Sequence, residues 1–152
     1  MEQRNKEVIM NLKNTWGIYP WSTLHGNELI YSEDLEKATK SELRGKVFHC
    51  TDDNGKYITL EYQNESYRVK PDLYEVFHGL VFPIGSSIKL KKYPDMNGII
   101  IDIRWYWDKK EPMYFITLNG KKKTKRYFLE DFIVDKLWVQ NDIKPKKFLL
   151  WR

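Results

Sequence analysis

Three histidines, one cysteine and a run of lysines are the residues of this 152-residue chain that invite a chemical reading. His49 and Cys50 are neighbours, and a thiol beside an imidazole is the start of a nucleophile–base pair. On a strand, however, adjacent side chains point to opposite faces, so these two cannot serve each other. His25 and His78 stand alone, and no set of His, Cys, Asp or Glu has metal-ligand spacing. Asp52 and Asp53 open the turn Asp52-Asp53-Asn54-Gly55, where short acidic side chains are turn formers. Gly120-Lys121-Lys122-Lys123-Thr124 has the flavour of a phosphate loop, but it lacks the first glycine and a hairpin surrounds it rather than a strand and helix. The expectation is a non-catalytic protein without cofactor or metal.

What remains is the chemistry of binding. Lys121, Lys122, Lys123, Lys125 and Arg126 can contact phosphates, and Tyr127 or Tyr106 can stack on bases. The bland counterpart is a solvated hairpin. Arg104, Tyr106 and the segment from Trp16 to Trp21 offer the residue types that dominate protein-binding hot spots. The bland counterpart there is an aromatic plug sealing one end of a β-domain. The expected function is a binding module that recognises a protein partner. The alternative is a nucleic-acid-binding module using the basic hairpin 120–127.

Charge is unevenly spread. Residues 1–78 hold 10 Lys and Arg against 13 Asp and Glu, and residues 79–152 hold 16 against 8, for a chain total of +5. A basic half beside a mildly acidic one fits a polar partner such as nucleic acid or an acidic protein. A single cysteine excludes an intramolecular disulfide. No apolar run approaches the ~20 residues of a membrane span, and the first residues lack a signal-peptide core. A cytoplasmic location without a membrane partner is expected.

These residues must be positioned by strands. Ile99, Ile101, Ile103, Trp105 and Trp107 alternate with Ile100, Asp102, Arg104 and Tyr106, which places the first set on the core face and the second outward. Met113–Leu118 is the next strand, Asn119-Gly120 the hairpin turn, and Thr124–Leu129 the return strand. Upstream, strands are expected at Lys46–Cys50, Tyr57–Tyr62, Ser66–Val69 and Ser86–Lys92, with turns at Lys70–Leu73 and Pro94–Gly98. A helix is expected over Ser32–Arg44, capped by Ser32 and ended by Gly45. Residues 1–13 read as a strand or a frayed helix, and Phe132–Val139 as a strand or helix start. Phe148, Leu149, Leu150 and Trp151 form a terminal apolar patch.

The halves also echo each other. Tyr57-Ile58-Thr59-Leu60 corresponds to Phe115-Ile116-Thr117-Leu118, and Val69/Asp72/Leu73 to Phe128/Asp131/Phe132, with a third copy of that ending at Tyr31/Asp34/Leu35. In each, the Asp is expected to cap a one-turn helix. Short strands, tight hairpins and a one-turn helix before the last strand resemble tandem small SH3-like or Tudor-like barrels, over Ser86–Val139 more closely than over residues 14–78. The resemblance implies a mainly β fold of two packed units, 1–78 with the short helix and 79–152 as the clearer barrel. It also implies an aromatic-lined groove for peptides, modified side chains or nucleic acid. The architecture looks as well like small β-rich bacterial antitoxin or immunity proteins.

Overall fold

The computed structural model describes residues 11–134. The expectations for residues 1–10, for the continuation past residue 134 and for the Phe148–Trp151 patch lie outside the described residues. The described chain is mainly β, with two antiparallel sheets and one short α-helix. It divides into two compact units, one of residues up to Arg44 with Phe48–Val76, the other of Gly45–Val47 with Phe77 onward.

The first sheet holds β1 (Trp16–Ile18), β2 (Phe48–Asp53), β3 (Ile58–Tyr62), β4 (Glu65–Val69) and β5 (Glu75–Phe77), ordered β4-β3-β2-β1-β5, and all but the last residue of β5 belong to the first unit. β3 has the period of two that a half-buried strand needs, with Ile58, Leu60 and Tyr62 buried. They pack with Tyr19, Phe48, Cys50, Tyr67 and Val69. The helix is shorter than expected. A 3-10 turn at Ser32–Asp34 leads into α1 (Leu35–Ser41), and Glu42, in left-handed backbone at φ 55°, ends it before Gly45. Ser32 does not cap it. The Asp34 carboxylate, the other capping candidate, is drawn away by Arg68, whose backbone N–H and Nε each donate to it at 2.9 Å.

In the second unit, β6 (Ser87–Ile88), β7 (Gly98–Tyr106), β8 (Glu111–Leu118) and β9 (Lys121–Lys122) form a sheet in sequence order. The hairpin between β8 and β9 is made by Asn119 and Gly120 at φ 48° and 82°, the paired positive angles of a tight β-turn. β7 departs from simple alternation. Its register against β8 shifts between Ile100 and Asp102, so a bulge sits at Ile101 and flips the pattern. The core therefore receives Ile100, Ile103 and Trp105, whereas Ile99 is 37% exposed and Trp107, in the turn beyond the strand, 43% exposed. A single inward face running from Ile99 to Trp107 is thus incorrect: the bulge turns Ile99 outward and Ile100 inward, and Trp107 lies past the end of the strand.

Two further expectations are corrected. Thr124–Leu129 is not a regular strand; it meets β8 only through an isolated bridge between Tyr127 and Tyr114. Ser86–Lys92 keeps only two residues in a strand, although Ile88 and Leu90 are buried. Neither sheet closes through its ladders. In the first unit a 3-10 turn at Pro71–Leu73 precedes β5, the neighbour of β1. In the second a 3-10 turn at Leu129–Asp131 precedes Phe132, which bridges to Leu90 just past β6. Within that turn the Phe128 N–H donates to Asp131 Oδ2 at 2.8 Å, so this aspartate ties down its own turn.

Candidate functional site

The groups with catalytic chemistry are dispersed. Cys50 is buried in the first core, and burial pushes its thiol up to about 11. His49 is on the opposite side of the strand, its ring stacked on Trp16 with centroids 4.5 Å apart. His25 Nδ1 accepts the Ser22 N–H of a short turn. Asp53 accepts the N–H groups of Leu12 and Gly55. Among the described residues no group of three or more His, Cys, Asp or Glu could hold a metal ion. A thiol so protonated and covered should resist alkylation. Iodoacetamide at pH 7.5 is expected to leave Cys50 unmodified in the native chain over hours and to modify it fully in urea; rapid native labelling would show that the core around Cys50 opens readily.

The binding candidates fall into three places. Trp16 and Trp21 lie in the first unit. Trp21 is 3% exposed and donates through Nε1 to the Gly26 carbonyl at 2.9 Å, so it is largely a core side chain. Trp16 is half-buried beneath His49.

The second place is the outer face of β7 and β8. After the bulge, Asp102, Arg104 and Tyr106 point outward, and the register sets Phe115, Met113 and Glu111 directly opposite them. The Arg126 guanidinium lies 4.7 Å from the Tyr106 ring centre, within cation–π range. Phe128 packs on Tyr106 with centroids 5.1 Å apart, and Lys109 Nζ sits 4.9 Å from the Phe128 ring centre. Arg104, Tyr106 and Arg126 are therefore brought together. Phe128 and Lys109 join them through the 3-10 turn and the 107–110 turn, neither of which has a sequence period to expose them.

The third place is a cleft of about 400 Å³ in the second unit. Lys123, Lys125 and Tyr127 line it, and so do Lys91, Lys92 and Tyr93 from outside the basic hairpin. Tyr127 is only 7% exposed, and burial, with the nearby Tyr93 and Asp131, pushes its hydroxyl above the usual range. It belongs to the cleft wall and is not a free stacking surface. Lys125 Nζ stands 5.3 Å from its ring centre. Lys121 and Lys122 sit outside the cleft on exposed β9. The signal that could have found the missed residues is Lys91-Lys92-Tyr93 just before Pro94, a second basic–aromatic cluster.

Both surfaces are grounded in a sequence that matches a family of unknown function, DUF6960, over residues 9–133. The chain belongs to that family. No curated protein and no solved structure is significantly similar to it. The family match takes in β7, β8, the basic hairpin and every residue of the cleft, so the DUF6960 region contains both candidate surfaces whole. No described helix is long and apolar enough to cross a membrane.

Proposed function

We propose that the chain is a non-catalytic, cytoplasmic binding module that recognises a protein partner through the outer face of β7 and β8. The observation that carries this reading is the convergence of Tyr106, Arg126 and Phe128, with Arg104 next along β7 and Met113 and Phe115 across from it. Arg, aromatic residues and Met are the types enriched where proteins meet, and stacked side chains that are already ordered lose little entropy on binding. Two guanidinium groups on this face select a partner that presents carboxylates.

The same proposal extends to the architecture: each unit is a small SH3-like barrel, and the two are copies of one pattern. In support, both sheets place the consecutive strands β2-β3-β4 and β7-β8-β9 side by side, both bulge in the longest strand, and both have a one-turn helix before a final pairing with the first strand or its extension.

The test is a Tyr106→Ala, Arg126→Ala double variant. Both side chains leave the fold's core intact, so the melting temperature should change little. A partner captured from the native cell by the wild-type chain is expected to bind the variant about 30-fold or more weakly, as loss of a hot-spot pair costs about 2 kcal/mol or more. Unchanged affinity would place recognition elsewhere. A second reading, nucleic acid at the basic hairpin, draws on the lysine-rimmed cleft.

A further inference from the structure

We infer that the cleft of the second unit is a binding site for single-stranded nucleic acid, holding one base over its apolar floor and phosphates on its lysine rim. The inference rests on the nucleic-acid reading just given and is independent of the β7–β8 face. The cleft has a two-part lining. Leu90 and Leu118 are buried side chains at its base, with Tyr127 and half-buried Met96 beside them. Lys91 and Lys92 flank it from one chain segment, and Lys123 and Lys125 from another. Tyr93, 47% exposed, offers the ring on which a base can stack.

The charge balance favours an anion. Two carboxylates also line the cleft, but both have partners: Asp131 Oδ2 accepts the Phe128 N–H at 2.8 Å, and Glu130 lies 3.9 Å from Lys109 Nζ. Of the four lysines, three are exposed and one half-buried, and none of the four forms an ion pair among the described residues. The choice of lysine separates this ligand from an acidic protein. Lysine is depleted at protein interfaces, where arginine is preferred, and it serves as a point charge for phosphate. A volume of about 400 Å³ is at the small end for ligand sites, room for a single nucleotide unit. Lysines on two sides exceed what one phosphate needs, which points to a strand passing over the cleft. A base can enter only if it is unstacked, which a single strand allows and a duplex does not.

The experiment is fluorescence anisotropy of the full chain with a labelled oligothymidine of about ten nucleotides, from about 50 mM NaCl upward. Four proteins are compared: wild type; Lys91→Ser, Lys92→Ser, Lys123→Ser, Lys125→Ser combined; Tyr93→Ala; and Lys121→Ser, Lys122→Ser, which removes charge from the same hairpin outside the cleft. Thermal melts establish that all four are folded. Wild type should bind with a log K against log salt slope of about −0.7 for each phosphate held. The cleft variant should lose at least tenfold, and Tyr93→Ala about five-fold or more, the lower range for one stacked base. The β9 variant should stay within about threefold of wild type. Equal losses in the cleft and β9 variants would overturn the site while leaving nucleic-acid binding standing. No binding at low salt would overturn both. A duplex that competes as well as the single strand, a free mononucleotide that displaces it at equal concentration, or an acidic peptide bound more tightly than the oligonucleotide would each overturn the ligand assigned here.

Discussion

Phe132→Ala should lower the unfolding free energy by about 4 kcal/mol, in the range for truncating a buried aromatic. Phe132 is fully buried, packing edge-on against Phe82 with centroids 5.6 Å apart and against Tyr114 at 5.4 Å. Phe82 and Tyr114 also contact each other at 6.2 Å, so three rings from three separate segments close on one point. The Phe82 N–H donates to the Tyr114 hydroxyl at 3.2 Å inside this cluster, and burial holds that hydroxyl protonated far above its ordinary range. Such an arrangement cannot collapse into the space a lost ring leaves, because Phe82 and Tyr114 are fixed by their own backbones. The substitution should act beyond stability. Phe132 follows the Leu129–Asp131 turn and bridges to Leu90, so it anchors Phe128, Glu130 and Leu90, which serve both candidate surfaces. Urea unfolding should show a lower midpoint with an unchanged slope. Phe132→Leu should recover more than half of the loss. A cost below about 1 kcal/mol for the alanine would mean that the ring is not the keystone of this core.

The elements that anchor these surfaces were legible to different degrees. Asn119-Gly120 marked its hairpin because few residues tolerate consecutive positive φ angles. Ile58, Leu60 and Tyr62 announced their inward face because β3 is unbulged and its period of two runs true. In β7 the same signal misled. Ile99, Ile100 and Ile101 are three consecutive isoleucines, so hydrophobicity alone cannot say which is the bulged residue. The inward set switches there, and Arg104 and Tyr106 nonetheless point outward because they lie on the far side of the switch. Arg104, Tyr106 and Arg126 were individually identifiable as binding types. Their meeting was not, since Arg126 reaches Tyr106 from an irregular segment with no periodicity. Trp21 shows another kind of hidden contact. Its residue type suits a binding surface, but the carbonyl that takes up its indole N–H comes from the Gly26 turn, and a single sequence does not display such a partner.

Asp34→Ala should cost about 2–3 kcal/mol, because it leaves the Arg68 backbone N–H without its acceptor as well as removing a covered carboxylate. Arg68 clamps Asp34 with Nε at 2.9 Å and Nη2 at 3.1 Å, and its guanidinium also lies 4.2 Å from the Tyr31 ring centre. Burial raises the Asp34 carboxyl, but the hydrogen bonds and charge of Arg68, with Lys37 behind it, outweigh burial and hold it below the usual carboxylate range. A depressed folded-state pKa fixes the sign of the pH effect. The carboxylate's contribution is complete above its unfolded value of about 4 and fades as pH falls through the lower folded value. The stability difference between wild type and Asp34→Asn should therefore be constant from pH 7 to about 5 and shrink below about 4. A difference that grows on acidification would contradict this assignment. The pair Arg104–Asp102 has similar chemistry, with Nε 3.3 Å from Oδ2, but both side chains reach solvent. Exposed pairs are worth about 0–1 kcal/mol. Asp34 thus ties α1 to β4, whereas the Arg104–Asp102 pair contributes less to the fold. Measuring both aspartate variants by urea unfolding at pH 7 separates the covered pair from the solvent-facing one.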